Sequence, residues 1–237
     1  MKSLTHYTRT TEAFVNILTH GFAWVPNKRR LIQKLVPDCD FSDREPQQFG
    51  MISFTDADAP ACRKHLEEFG LFGIAISPQW ARLHGAQRVL YVSEDGPLFE
   101  TFRSMFKSGY EQLHSAIRFP RDRAARMALT NKNMASMQGG ALWSHLLTLY
   151  EYMEPAENAY QSEWRIVNAM PLYGYAETTP KIIQRVSPPR NWAQHVNVLK
   201  FSADAILGFV CPRGEEPGLK QMLPPAFQSK PLHLFDC

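Results

Sequence analysis

Cysteine is scarce in this chain: four residues in 237, Cys39, Cys62, Cys211 and Cys237, with no CxxC spacing among them. That scarcity excludes a zinc framework and a disulfide scaffold, and it predicts reduced thiols in a cytoplasmic protein. Long apolar runs are missing too. No stretch approaches the ~20 apolar residues of a membrane span, and the opening MKSLTHYTRT lacks the apolar core of a secretory signal, so no membrane partner is expected. Charge of one sign is also lacking. A formal net charge of +3 and a pI near 8.7 give a field too weak to argue for nucleic acid by itself. There is no internal repeat and no low-complexity segment, and the 17 prolines are scattered, which predicts one domain over residues 1–237. GxSxG, HExxH and Walker patterns are absent. The glycine pair in MQGGALW has no strand before it and no GKS/T after it, so it is not a phosphate loop.

What is present is an ordinary globular composition, 44% hydrophobic and 12% aromatic, with local patterns that alternate between strand and helix. SLTHYT reads as a first strand. TTEAFVNILTHG follows as a helix with Phe14, Ile17 and Leu18 on one face and Gly21 placed to stop it. The mixed stretch from Trp24 to Gly50 predicts a loop or lid, after which MISFTD, FGIAIS and RVLYVS have strand composition, with a short helix in PQWARLHGAQ. From about residue 97 to 158 the pattern is helical, which predicts a helical insertion. EWRIVNAM, KIIQRVS, NVLKFSA and AILGFVCP then return to strand, followed by a Pro-rich tail. The expected class is α+β, with a mostly antiparallel sheet.

Alternation along EWRIV puts Glu163, Arg165 and Val167 on one face and Trp164 and Ile166 on the other. The ordinary expectation for such a carboxylate and guanidinium is a solvated face with a modest cross-strand ion pair. His6, flanked by hydroxyls and by Tyr7, is ordinarily structural, and Ser53 and Thr55 in SFTD are ordinary strand formers. Among the weaker candidates, Arg118, Arg121, Asp122, Arg123 and Arg126 read as a solvated helix face, and His145 as a core-edge residue.

The ordered set HYT, HG, FGMISFTD, FGLFGIAIS, VLYV and SEWRIV covers nearly the whole chain and is similar to the abortive phage resistance AbiGi-type antitoxin family. It also resembles a broader bacterial group that begins with HYT and carries a late EWR strand. That group in turn looks like the ADP-ribosyltransferase superfamily, which implies a split antiparallel sheet cradling NAD. The superfamily order of a first-strand histidine, a Tyr or Ser/Thr motif and a late glutamate is matched by His6, the strand Ser53, Phe54 and Thr55, and Glu163. The tyrosine that would stack on nicotinamide is replaced by Phe54 or supplied by Tyr91.

Cleavage of the nicotinamide–ribose bond builds positive charge on the sugar, and a fixed carboxylate such as Glu163 stabilises that charge best where water is excluded. The resemblance then implies that His6 meets the adenosine ribose and that Tyr7 or Thr8 orients the cofactor. Phe54 would offer an apolar face. Arg165 counts among the cofactor contacts, and Arg9 or the basic run Lys28, Arg29, Arg30 and Lys34, ordinarily a solvated basic loop, would serve the pyrophosphate or a nucleic-acid acceptor. Two functions follow. One is an NAD-using transferase of phage defence or of a toxin–antitoxin pair, acting on a protein or nucleic-acid acceptor. The other is an inactive antitoxin or binding module, with the helical insertion as its contact surface for a partner toxin or phage component.

Overall fold

Thr10 starts the first helix as its sequence position suggests: its hydroxyl accepts from the Ala13 amide at 3.1 Å. Gly21 stops that helix in a backbone conformation of φ 110° that L side chains rarely adopt. The computed structural model describes residues 3–26, 35, 50–57, 63–116, 145–146, 148–168, 183–186 and 196–236. Lys28, Arg29, Arg30, Lys34 and the arginine-rich run from Arg118 to Arg126 lie outside the described residues.

The described chain falls into two compact units, one of residues 1–26, 47–89 and 159–237, the other of residues 27–46 and 90–158. The first holds β1 (Leu4–Thr8), α1 (Thr11–His20), β2 (Phe22–Ala23), β3 (Val25–Pro26), β4 (Gly50–Thr55), α2 (Arg63–Phe69), β5 (Phe72–Ile76), α3 (Pro78–Leu83) and β6 (Gln87–Arg88). The second holds β7 (Leu90–Val92), α4 (Pro97–Ala116) and β8 (Met153–Pro155), with β7 and β8 paired in parallel. Chain order returns to the first unit with β9 (Glu163–Asn168), β10 (Ile183–Val186), β11 (Val196–Leu199), β12 (Ile206–Pro212), α5 (Glu216–Met222) and β13 (Leu232–Phe235).

The main sheet runs β13-β12-β5-β1-β4-β9-β6, with β3 also paired to β4, and a second sheet runs β10-β11-β2. All pairings in the first unit are antiparallel except β12 with β13. The expected α+β class with a mostly antiparallel sheet is therefore present. The helical insertion is represented by α4, which shares the second unit with the β7–β8 pair.

Two local readings need correction. RVLYVS is not one strand: it breaks at Val89, whose amide donates to the Glu163 carbonyl, and its halves join different sheets. The Pro-rich tail forms α5 and the parallel strand β13. His145 is exposed and does not sit at a core edge.

The core of the first unit collects Leu4, Phe14, Ile17, Phe22, Ile52, Phe54, Ile74, Ile76, Ile166 and Phe209. Leu4, Ile52, Ile74 and Ile166 come from neighbouring strands of the main sheet, Phe22 and Leu199 from the smaller sheet, and Phe14, Ile17 and Leu18 from α1. Main-sheet residues of opposite parity, among them Thr5, Tyr7, Ser53, Thr55, Glu163 and Arg165, occupy the other face, while His6 and Phe54 share the parity of the core.

Candidate functional site

Glu163 is placed by the turn that precedes it. The 3-10 turn Ala156–Gln161 ends at Ser162, which takes φ 45°, a left-handed conformation costly for a residue with a Cβ. Two sets of contacts hold it there. The Ser162 hydroxyl donates to Asp56 Oδ1 at 2.5 Å, and the Thr55 hydroxyl donates to the Gln161 carbonyl at 2.5 Å while accepting from the Ala57 amide at 3.0 Å. Asp56 also accepts from Trp164 Nε1 at 3.2 Å and pairs with Arg88 at 2.6 Å. Burial pushes the Asp56 carboxyl upward, but the Ser162 and Trp164 hydrogen bonds and the Arg88 charge outweigh it, and the group sits below the usual carboxylate range.

From this anchored start β9 runs antiparallel to β4, with Thr55 opposite Glu163, Phe54 opposite Trp164 and Ser53 opposite Arg165. Cross-strand partners share a face, so Ser53, Thr55, Glu163 and Arg165 lie together, and Phe54 and Trp164 lie on the other side. The alternation expected from EWRIV is present. The solvated face is not: Glu163 is 7% exposed and Arg165 1%. Their ion pair runs along one strand instead of across two, with Arg165 Nε and Nη2 each 2.8 Å from a different Glu163 oxygen. A planar guanidinium facing both carboxylate oxygens fixes that carboxylate's orientation.

β1 meets β4 at a single register pair, Thr5 with Thr55. Beyond it, the His6 ring takes the place of a backbone partner, with Nδ1 2.7 Å from the Ser53 carbonyl. A carbonyl oxygen can only accept, so His6 Nδ1 carries the hydrogen. The same ring makes edge contacts with Phe22 and Phe54, at centroid distances of 5.2 and 5.8 Å.

Burial lowers the His6 pKa below its ordinary 6.5, and the hydrogen bond to Ser53 opposes this only in part. As pH falls below 6.5 the unfolded chain takes up a proton that folded His6 refuses, so stability drops, by at most about 1.4 kcal/mol per pH unit until the folded value is passed. Urea unfolding at pH 7.5 and 5.5 is expected to show a larger loss in the parent protein than in His6→Asn. Equal losses would contradict a half-buried imidazole kept neutral by desolvation.

At the β1–β4 seam a cavity of about 60 Å³ is lined by six of the residues singled out from sequence: His6, Tyr7, Ser53, Phe54, Thr55 and Glu163. Thr5, Gln161 and Phe69 complete its walls, and none of the three was anticipated. Gln161 could have been suspected from its place two residues before Glu163. Phe69 carried no signal, since it reaches the cavity only through the packing of α2.

The remaining candidates go elsewhere. Thr8 Oγ1 donates to the Thr10 carbonyl, and Arg9 donates through Nε and Nη2 to the Glu68 carbonyl at 3.2 and 2.7 Å. Arg165 stands beside the cavity with its guanidinium paired to the Glu163 carboxylate. Tyr91 belongs to the second unit, opposite Glu154 on β8. Phe54 belongs to the lining of the cavity, and its ring, 2% exposed, packs against Phe22 at 5.3 Å in the core.

Among the described residues no group of three His, Cys, Asp or Glu side chains could hold a metal ion. Burial and the nearby Glu216 and Glu215 carboxylates push the Cys211 thiol up to about 11, so it is not a nucleophile near neutrality. No helix among the described residues is long and apolar enough to cross a membrane. Comparison with protein-family models, with curated proteins and with solved structures finds no match to this chain.

Proposed function

We propose that this chain is an ADP-ribosyltransferase-like protein of phage defence or of a toxin–antitoxin pair, using NAD at the β1–β4 seam. One observation carries the reading: His6, Thr55 and Glu163, far apart in sequence, line one cavity. Glu163 is the group with chemistry to offer, a carboxylate in a largely water-free site facing the sugar that becomes cationic as nicotinamide departs. Thr55 does not touch the reacting atoms in this account. Its hydroxyl is engaged on both sides, and it positions the turn that delivers Glu163. His6 is left with Nε2 as its unprotonated nitrogen, because Nδ1 is committed to Ser53.

A second reading is favoured by two specific features. A cavity of about 60 Å³ is well below the roughly 300 Å³ or more of ordinary ligand pockets. Glu163 is already paired with Arg165, which offsets the anion that a cationic sugar would need. Both suit an antitoxin or binding module that keeps the fold without turnover.

Calorimetric titration with NAD, combined with an NAD-cleavage assay, separates the two. The transferase reading expects saturable binding, and cleavage falling about 100- to 1,000-fold in Glu163→Gln, the usual cost of losing a preorganised electrostatic group. Thermal melts would verify that the variant is folded. No binding at millimolar NAD leaves the binding module standing.

A further inference from the structure

The polar face carrying Thr5, Tyr7, Thr55 and Glu163 is covered in part by α2, a helix of seven residues. A helix that short has little stability of its own and depends on tertiary contacts. Its apolar contribution is small: Leu66 joins Tyr7 and Phe235 in a minor buried cluster, with Phe69 packed alongside.

The polar contacts converge on one residue. Tyr160 donates its hydroxyl to Glu68 Oε2, and Gln161 Nε2 lies 3.4 Å from that same oxygen and 3.3 Å from the Tyr160 hydroxyl. Lys64 Nζ sits 4.1 Å from the centre of the Tyr160 ring, one helical turn before Glu68. Arg9 holds the Glu68 carbonyl, and Gly70 then turns at φ 111° where an added Cβ would lie 2.1 Å from the Thr8 carbonyl. The foot of α2 is thus fixed to β1, while its side facing the 3-10 turn is held through the Glu68 carboxylate.

The cavity walls are of three kinds. His6, Ser53, Thr55 and Glu163 are built into a sheet whose ladder resists displacement. Gln161 ends a 3-10 turn and its carbonyl is held by Thr55, and Phe69 belongs to α2. A cavity too small for an aromatic amide can therefore grow with least disruption by moving the helical wall.

We propose that Glu68, gripped by Tyr160 and Gln161, is a latch that keeps α2 closed over the Glu163 cavity. Releasing it would enlarge the cavity for a planar ligand of nicotinamide size. This rests on the cavity being the NAD site proposed above.

Tyr160→Phe removes the hydroxyl but keeps the ring beneath Lys64, and Glu68→Gln keeps the shape but removes the charge. Amide hydrogen exchange in both variants is expected to quicken about 10-fold in residues 66–70, the factor given by losing one hydrogen bond to a charged group, with β5 and β12 unchanged. Nicotinamide, titrated calorimetrically, is expected to bind both variants about 10-fold more tightly than the parent. Unchanged exchange in α2, or a rise shared equally by β5 and β12, overturns the latch. Locally faster exchange with no binding of nicotinamide or NAD keeps the latch and removes the NAD reading instead.

Discussion

Arg165→Met is expected to cost about 3–5 kcal/mol of folding stability at pH 7, read from urea unfolding curves. Both side chains of the pair are almost wholly withdrawn from water, 2% exposed for Arg165 and 9% for Glu163, and they share two hydrogen bonds of 2.8 Å. Removing the guanidinium leaves a desolvated carboxylate without the partner that faces both its oxygens. Methionine fills most of the volume, so the loss measures charge and not cavity formation.

The double substitution Glu163→Gln/Arg165→Met is expected to recover most of that loss, because two neutral groups in a buried site escape the desolvation penalty. A single-variant loss below about 1 kcal/mol would mean that water reaches the carboxylate and that the site is not dry. That outcome would also weaken the catalytic reading, since a carboxylate in water stabilises an adjacent cation far less.

Phe22→Ala is the other large effect, about 3–5 kcal/mol by the same measurement. Phe22 is 0% exposed and touches the rings of His6, Phe54 and Phe201 at 5.2, 5.3 and 4.9 Å. It comes from β2 of the smaller sheet, whereas His6 and Phe54 come from adjoining strands of the main sheet. One ring therefore links two sheets and supports the seam where β1 leaves β4. Its loss removes buried area and leaves a void between elements that cannot both close in. The variant is also expected to let His6 protonate at higher pH than in the parent, seen by NMR titration of the imidazole, because burial is what lowers its pKa. A loss under 1 kcal/mol would show that the two sheets do not depend on this contact.

Much of the first unit was legible because its signals are local. Gly21 stops α1, and Phe14, Ile17 and Leu18 share its buried face, since a 3.6-residue period and one stop signal suffice. The period of two along EWRIV separated Glu163 and Arg165 from Trp164 and Ile166. The same period could not say which face meets water. Glu163 and Arg165 look like surface residues in sequence, and they are buried because α2 and the Ala156–Gln161 turn supply residues of the cavity beside them. The aromatic triangle of His6, Phe22 and Phe54 was equally hidden, since it depends on two sheets that no sequence interval relates.

The chain itself determined where α1 begins and ends, which residues of β9 share a face, and which few polar side chains were worth following. Tertiary structure alone decided that Arg9 holds a helix end, that Arg165 holds Glu163, and that Phe69 and Gln161 wall the cavity. The physical reason is range. Backbone sterics and side-chain alternation act within a few residues and leave their period in the sequence. Desolvation and ion pairing depend on which distant segments come to rest together.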